Sequence, residues 1–263
     1  MDLGSQISNI NQSNSKLIRL FDFKENTSVL DGELVVLLIS LGKKEDFYPI
    51  HLENKEFFKI YFTDREINEY LNKKKKYFWL YGRLLAKTSI IKLLKYSNLN
   101  YIPYNAIEIL NNSPNRPILN ISELLNSKRI NFSISHSLDK IVASASFNQI
   151  GVDIERIRSF STRLLKKFLN PKDILKILHF LSNNTTLKPS ENEINTTLWC
   201  IKEAVSKASG LGLKLDFRKM RIIVRNNETF VKILNQNKKE IYFIKILEED
   251  NYIIAIAKKI NKN

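Results

Sequence analysis

The sequence predicts an α+β protein. Three observations predict it: short apolar runs suited to strands, longer segments with apolar residues at helical spacing, and helices preceding strands in each half of the chain. The halves share that order of elements without a recognisable sequence repeat.

Taken in order, residues 1–30 carry no usable pattern. The leading MDLGSQISNINQSNSKL lacks the basic-then-apolar layout of a secretory signal, and its Ser/Asn-rich composition leaves a transit or flexible segment open. Residues 34–41 (LVVLLISL) read as a buried strand, far shorter than the ~20 residues that span a bilayer. In residues 62–70 (FTDREINEY), Thr63 as N-cap and Glu66 three positions later mark a helix start. The lysine run at 73–76 fits a solvated helix face or end. Residues 77–94 place Leu80, Leu84, Leu85, Ile90, Ile91 and Leu94 at the spacing of a core-packed helix. Pro103, Pro114 and Pro117 then punctuate an irregular stretch. Residues 130–135 and 140–147 read as strands around a His-Ser turn, with residues 150–157 following as a further strand.

The second half begins with a helix over residues 163–169, broken at Asn170-Pro171, and another over 172–181. A polar link over 182–195 precedes a helix from about Thr196 to Ser209, stopped by Gly210 and Gly212. Strands over 221–225, 229–234, 240–247 and 252–257 close the chain.

The chain has 263 residues, enough for one large domain or two modest ones, and its 43% hydrophobic and 26% charged residues are ordinary for a soluble globular protein. Its single cysteine excludes an internal disulfide and any cysteine-based metal cluster, which fits a reducing compartment. The formal net charge of +15 favours an anionic partner: nucleic acid, a membrane surface, a phosphorylated ligand or an acidic protein. Lys, Asn and Ile are abundant throughout, as an AT-rich coding sequence would also give, so charge alone decides nothing.

Against that charge, IGVDIERI (residues 150–157) sets Asp153 and Glu155 on one face of an extended segment, where like charges repel. A third carboxylate, Glu203, lies in the helix LWCIKEA. Two acids from a strand and one from a helix suit a hard cation such as Mg²⁺, which takes oxygen ligands and would remove the repulsion. A solvated strand end is the simpler alternative for the D-x-E pair. In NFSISHS (131–137), His136 and Ser135 could donate to a phosphate, or His136 could be a turn histidine satisfied by water. Trp199, Glu203 and Lys207 recur every four residues on one helix face, which an ordinary Glu–Lys pair worth ~0.2–0.5 kcal/mol would also explain. Arg83 and Lys87 offer a basic edge on the earlier helix.

The order of these pieces is more telling than any one of them. FSISHS, then GVDIE, then WCIKEAVSKASGLGL resembles the phosphopantetheinyl transferases of the surfactin-synthetase-activating type, over roughly residues 62–213. Arg116-Pro117-Ile118-Leu119 resembles that family's upstream G-K-P-x-L block, with Asn115 for Gly and Arg116 for Lys. The resemblance implies two similarly built subdomains in pseudo-twofold arrangement, residues 31–147 and 148–263, with the active site in the cleft between them and residues 1–30 as a leading segment.

It also implies the reaction. The 4′-phosphopantetheine arm of coenzyme A passes to a serine of an acidic apo acyl or peptidyl carrier protein, and adenosine 3′,5′-bisphosphate leaves. By that resemblance Asp153, Glu155 and Glu203 hold Mg²⁺; Asp153, Glu203 and Lys207 are catalytic; and Glu203 is ligand, general base or both. Lys202 and Lys207 would contact the pyrophosphate or the carrier serine's surroundings. Arg83, Lys87, Arg116, Ser135 and His136 would complete the coenzyme A site. A cytoplasmic monomer that binds neither nucleic acid nor membrane is expected. The rivals are a basic nucleic-acid-binding protein, for which KKKKYFWLY (73–81) is the best segment, and a carrier-binding homologue without catalysis. The first leaves three acids unexplained; the intact Asp153, Glu155, Glu203 and Lys207 count against the second.

Overall fold

A strand buried on both faces needs a layer on each side, and the run ELVVLLIS finds both. Within β2 (Glu33–Ser40), Val35, Leu37 and Ile39 pack toward a second sheet, while Val36 and Leu38 pack under a helix. The computed structural model describes residues 23–30, 33–40, 55–74, 76–112, 116–121, 129–184, 188–234 and 239–260. It repeats this layering in the second half. There, β7 (Ile150–Arg156) turns Ile150, Val152 and Ile154 into the same intersheet cluster, so Gly151, Asp153 and Glu155 face the other way, toward α6 (Glu191–Ser209). The layers run helix, sheet, sheet, helix.

The first sheet has the order β1-β2-β6-β5, with β1 (Phe23–Leu30), β5 (Asn131–Ser137) and β6 (Lys140–Ser146) all antiparallel to their neighbours. β1 falls within the segment assigned to the leader, and it pairs along its whole length with β2. Before the sheet's outer helix come α1 (Lys55–Tyr61) and α2 (Asp64–Leu71), then α3 (Lys76–Tyr96). Thr63 caps α2 in the reciprocal arrangement with Glu66 that the sequence announces. A 3₁₀ turn at Tyr104–Ala106 leads into the hairpin of β3 (Ile107–Asn112) and β4 (Arg116–Ile121). This hairpin replaces the expected irregular stretch. Pro117 is tolerated because a two-stranded ribbon has an open edge that needs no donor.

The second sheet has the order β7-β11-β10-β9-β8, built with β8 (Met220–Arg225), β9 (Glu228–Leu234), β10 (Lys239–Glu249) and β11 (Tyr252–Lys259). Between β7 and β8 run α4 (Thr162–Phe168), α5 (Pro171–Asn184) and α6, followed by 3₁₀ turns at Gly212–Lys214 and Phe217–Lys219. α6 starts at a Ser190–Glu193 capping box, so residues 191–195 of the expected polar link are helix, with Ile194 and Asn195 buried. Gly210 ends it in the left-handed conformation, φ 72°. Among the described residues no helix is long and apolar enough to cross a membrane.

The order β2, three helices, 3₁₀ turn, β3, β4, β5, β6 recurs as β7, three helices, 3₁₀ turns, β8, β9, β10, β11, and the adjacency β2-β6-β5 recurs as β7-β11-β10. A buried lysine marks the correspondence at side-chain level. Lys87 Nζ of α3 donates to Tyr61 O at the end of α1 (2.7 Å), to Tyr104 O of the 3₁₀ turn (3.1 Å) and to Glu66 of α2 (2.6 Å). The other oxygen of Glu66 accepts from Ile109 N in β3. Lys202 Nζ of α6 donates to Phe168 O at the end of α4 (2.6 Å), to Phe217 O of the 3₁₀ turn (3.2 Å) and to Asp173 of α5 (3.2 Å). The other oxygen of Asp173 accepts from Ile222 N in β8. The two halves use the same hub.

Candidate active site

The site forms where β5 of the first half meets β7 and α6 of the second. Alternation along NFSISHS gives β5 two different faces. Phe132 and Ile134 pack with the α3 core and His136 stacks on Phe78 of α3, with ring centroids 4.3 Å apart. Ser133, Ser135 and Ser137 face β7 instead. Ser133 Oγ accepts from Val152 N, Ser135 Oγ donates to Asp153 Oδ1 (2.7 Å), and Ser137 Oγ donates to Glu155 Oε2 (3.1 Å) while accepting from Arg156 N. Hydroxyls thus stitch the two strands together. They also place two carboxylates at the seam.

From the other side, Lys207 Nζ of α6 donates to Asp153 Oδ1 (2.7 Å) and to Val152 O (3.0 Å). The lysine therefore reaches across to β7 rather than back to Glu203. Arg158 Nε stands 3.6 Å from Glu155 Oε2. These partners offset the repulsion of the D-x-E pair. The remaining oxygen, Asp153 Oδ2, is buried with no hydrogen-bond partner. Glu203 is half-buried beside the pair: burial first, then the charge of Asp153, raises its pKa to about 7, and Lys207 opposes the rise. The thiol of Cys200, fully buried one turn earlier on the same helix, is pushed well up by burial and then by Asp153.

Next to the acids lies a cavity of about 620 Å³, lined by Lys74, Lys76, Tyr77, Phe78, His136, Ser137 and Leu138. Ser137 joins the two regions, with its hydroxyl on Glu155 and its residue in the cavity wall. His136 is exposed on a strand, and the hairpin turn falls at Leu138-Asp139 rather than at His-Ser. Lys74 and Lys76, read from the sequence as a solvated run, line the wall beside the histidine. The signal for them was the aromatic residues that follow directly.

Four residues expected at the site behave otherwise. Ser135 and His136 do not act as a pair, because adjacent strand residues point to opposite faces, and Ser135 belongs to the acids. Lys87 and Lys202 are fully buried in their hubs, with every proton of the ammonium group directed at protein oxygens. Burial pulls the Lys87 pKa down to about 8 against the pull of Glu66, and burial likewise lowers that of Lys202 against Asp173. Neither can touch a ligand in this arrangement. Arg83 is 6% exposed; it donates to Ile109 O (3.1 Å) and Asn111 Oδ1 (2.8 Å) and stacks over Trp79. Its place is in the α2–α3–β3 polar network, away from the cavity. Arg116 opens β4 opposite Asn112, and its side chain lies outside the described residues.

The orphaned Asp153 oxygen is itself a hard ligand of the kind a small divalent cation selects, and the Cys200 thiol also lies against Asp153. Among the described residues, no three His, Cys, Asp or Glu side chains stand at ligating separation from one point. The unpartnered oxygen fits a cation, and a closed ligand cage is not formed among the described residues.

Fold and site together define an α+β protein with an acid–lysine centre at the junction of a strand and a helix. Residues 149–257 match the family described as the 4′-phosphopantetheinyl transferase superfamily. The chain is similar to 4′-phosphopantetheinyl transferase gsp of Aneurinibacillus migulanus, 29% identical over 171 residues, 65% of this chain and 63% of the relative. It is similar to L-aminoadipate-semialdehyde dehydrogenase-phosphopantetheinyl transferase of Mus musculus, 27% identical over 194 residues, 66% of this chain and 60% of the relative. A shorter stretch of 84 residues, 32% of this chain and 35% of the relative, is 30% identical to 4′-phosphopantetheinyl transferase ffp of Bacillus subtilis. The alignments thus cover less than two thirds of the length of each of these relatives.

Proposed function

We propose that the protein transfers the 4′-phosphopantetheine arm of coenzyme A to a serine of an apo acyl or peptidyl carrier protein, in a magnesium-dependent reaction that releases adenosine 3′,5′-bisphosphate. The observation that carries this reading is the convergence of Asp153 and Glu155 from β7 with Glu203 and Lys207 from α6, beside a cavity that presents His136, Lys74 and Lys76.

The chemistry is displacement at a pyrophosphate phosphorus. The serine oxygen forms a bond to that phosphorus, the bridging oxygen departs with the nucleotide, and the serine proton must be accepted. Such reactions depend mainly on positioning and on neutralising phosphate charge. Glu203 accepts the proton, directly or through a water; its raised pKa of about 7 belongs to the site without a cation. Lys207 lies on the acid pair, placed to hold a phosphate oxygen, and Ser135 keeps Asp153 oriented. A divalent cation held by Asp153, Glu155 and Glu203 would neutralise charge on the pyrophosphate and favour the leaving group. Lys74 and Lys76 bring positive charge to the cavity and His136 a ring N–H donor, as a nucleotide phosphate requires. The net charge of +15 favours encounter with an acidic carrier protein.

The direct test is intact-mass analysis of a panel of apo-carrier proteins incubated with the protein, coenzyme A and Mg²⁺. Gain of the phosphopantetheine arm on at least one carrier is expected. No gain on any of them, together with retention on nucleic acid at physiological salt, would favour a nucleic-acid-binding protein instead.

Two further outcomes follow from the geometry. His136→Ala should weaken coenzyme A binding about tenfold by calorimetry and leave binding of 3′-dephospho-coenzyme A unchanged, since one charge-assisted hydrogen bond is lost; equal losses would place the histidine elsewhere. Glu203→Gln should abolish transfer and yet stabilise the metal-free protein at pH 8. The folded pKa of about 7 lies above the ordinary value of 4.5, so stability falls as pH rises from about 4.5 to 7 and then levels off. Removing the acid should recover on the order of 1 kcal/mol at pH 8 and nothing at pH 4. Thermal melts at the two pH values measure it.

A further inference from the structure

α6 is clamped from two sides. On its sheet side, Gly151 lets β7 approach the helix backbone, and the Cys200 thiol donates to Ile253 O (3.3 Å). On its other side, Lys202 ties it to the end of α4, to the 3₁₀ turn at Phe217–Lys219 and to Asp173 of α5, and Asp173 in turn holds β8 through Ile222 N. Both Lys202 and Asp173 have side chains 0% exposed. The residue after Lys202 is Glu203, and Lys207 follows by little more than one further turn.

We infer that the Asp173–Lys202 pair is a positioning device for the reaction: it fixes the axial position of α6, and so the reach of Glu203 and Lys207 to the β7 acids. Neither side chain touches the reacting groups. A shift of about 1 Å would break the hub and lengthen the 2.7 Å Lys207–Asp153 contact together, and misplacement of that size costs reacting groups heavily. This inference rests on the transferase reading above.

The molecule contains its own control. The Glu66–Lys87 pair forms the same hub in the first half, is equally buried at 0% exposure of both side chains, and holds a helix whose adjoining residue is Thr88 rather than an acid. Asp173→Asn and Glu66→Gln therefore remove equivalent charges from equivalent hubs. Both should lower the melting temperature. At a temperature below both transitions, Asp173→Asn should lower kcat about tenfold or more, while Glu66→Gln leaves kcat within about twofold of wild type. Asp173→Glu should restore most of the rate, because a glutamate already serves the other hub. If Asp173→Asn does not fold, the paired change Asp173→Leu with Lys202→Met leaves no buried charge uncompensated and should show the same loss of kcat. Equal kcat in the Asp173 and Glu66 variants would reduce the pair to a stabilising one and overturn the inference. An inactive wild type would instead refute the transferase reading.

Discussion

Asp153→Ala is expected to lower carrier-protein modification by about 10³-fold or more, with the melting temperature almost unchanged. The large effect follows from the position of the side chain. Asp153 receives Ser135 from the first half and Lys207 from α6 on one oxygen, and its second oxygen is buried without a partner. A group that aligns charge for phosphoryl transfer lowers the barrier by several kcal/mol, on the order of 3–4. The small effect on stability follows from the neighbours. Lys207 retains Val152 O and is 30% exposed, so its charge stays solvated, and Glu203 loses the like charge that helps to raise its pKa. The alanine variant should therefore melt like wild type and carry Glu203 with a pKa below 7, measurable by carboxyl NMR. Near-native turnover with Mg²⁺ as the only metal would remove Asp153 from the proposed ligand set.

Gly151→Ala should fail at the level of folding. A Cβ at this position would lie 2.0 Å from Ala204 O and 2.5 Å from Ala208 N, both backbone atoms of α6. A flexible side chain could swing away; a helix backbone cannot without moving the whole helix. That helix is held by the Lys202 hub on its far side, so the clash has no cheap relief. Overpacking of ordinary side chains costs about 1–3 kcal/mol, and a backbone clash against a fixed helix should exceed about 4 kcal/mol, enough to unfold a domain of ordinary stability. The variant should be recovered as aggregate, or as soluble protein with a much lowered melting temperature. Wild-type melting behaviour would mean that α6 moves freely over β7. The glycine that opens GVDIE is thus explained by the depth to which the next helix sinks.

Much of this was legible in the sequence, for identifiable reasons. The α2 capping box, the central strands and the long α3 helix are dictated by local chemistry: a Thr–Glu spacing, uninterrupted apolar runs, apolar residues every three or four positions. The acids of β7 and α6 were readable because three carboxylates in a basic chain need an explanation. Burial of polar residues is what stayed hidden. Residues 191–195 looked like a link because four of the five are polar, and they proved to be helix. Pro117 disguised β4. Lys87 and Lys202 were assigned to ligand by resemblance; their hubs depend on carbonyls and acids up to 34 residues away in sequence, which no local pattern reveals. The halves showed a common order of elements but no sequence repeat, since equivalent positions share a role and seldom a residue: Leu38 and Thr88 occupy the places that Asp153 and Glu203 hold in the second half.

The serine ladder has a consequence for motion. Along β5 the amides of Val152 and Arg156 end on side-chain hydroxyls instead of carbonyls, and a hydroxyl rotates and trades partners with water far more readily than a peptide group. The intersheet cluster of Val35, Leu37, Ile39, Val152 and Ile154 keeps the sheets packed, so the looseness is confined to this seam. Amide exchange at residues 152 and 156 should therefore be faster than in the interior of either sheet.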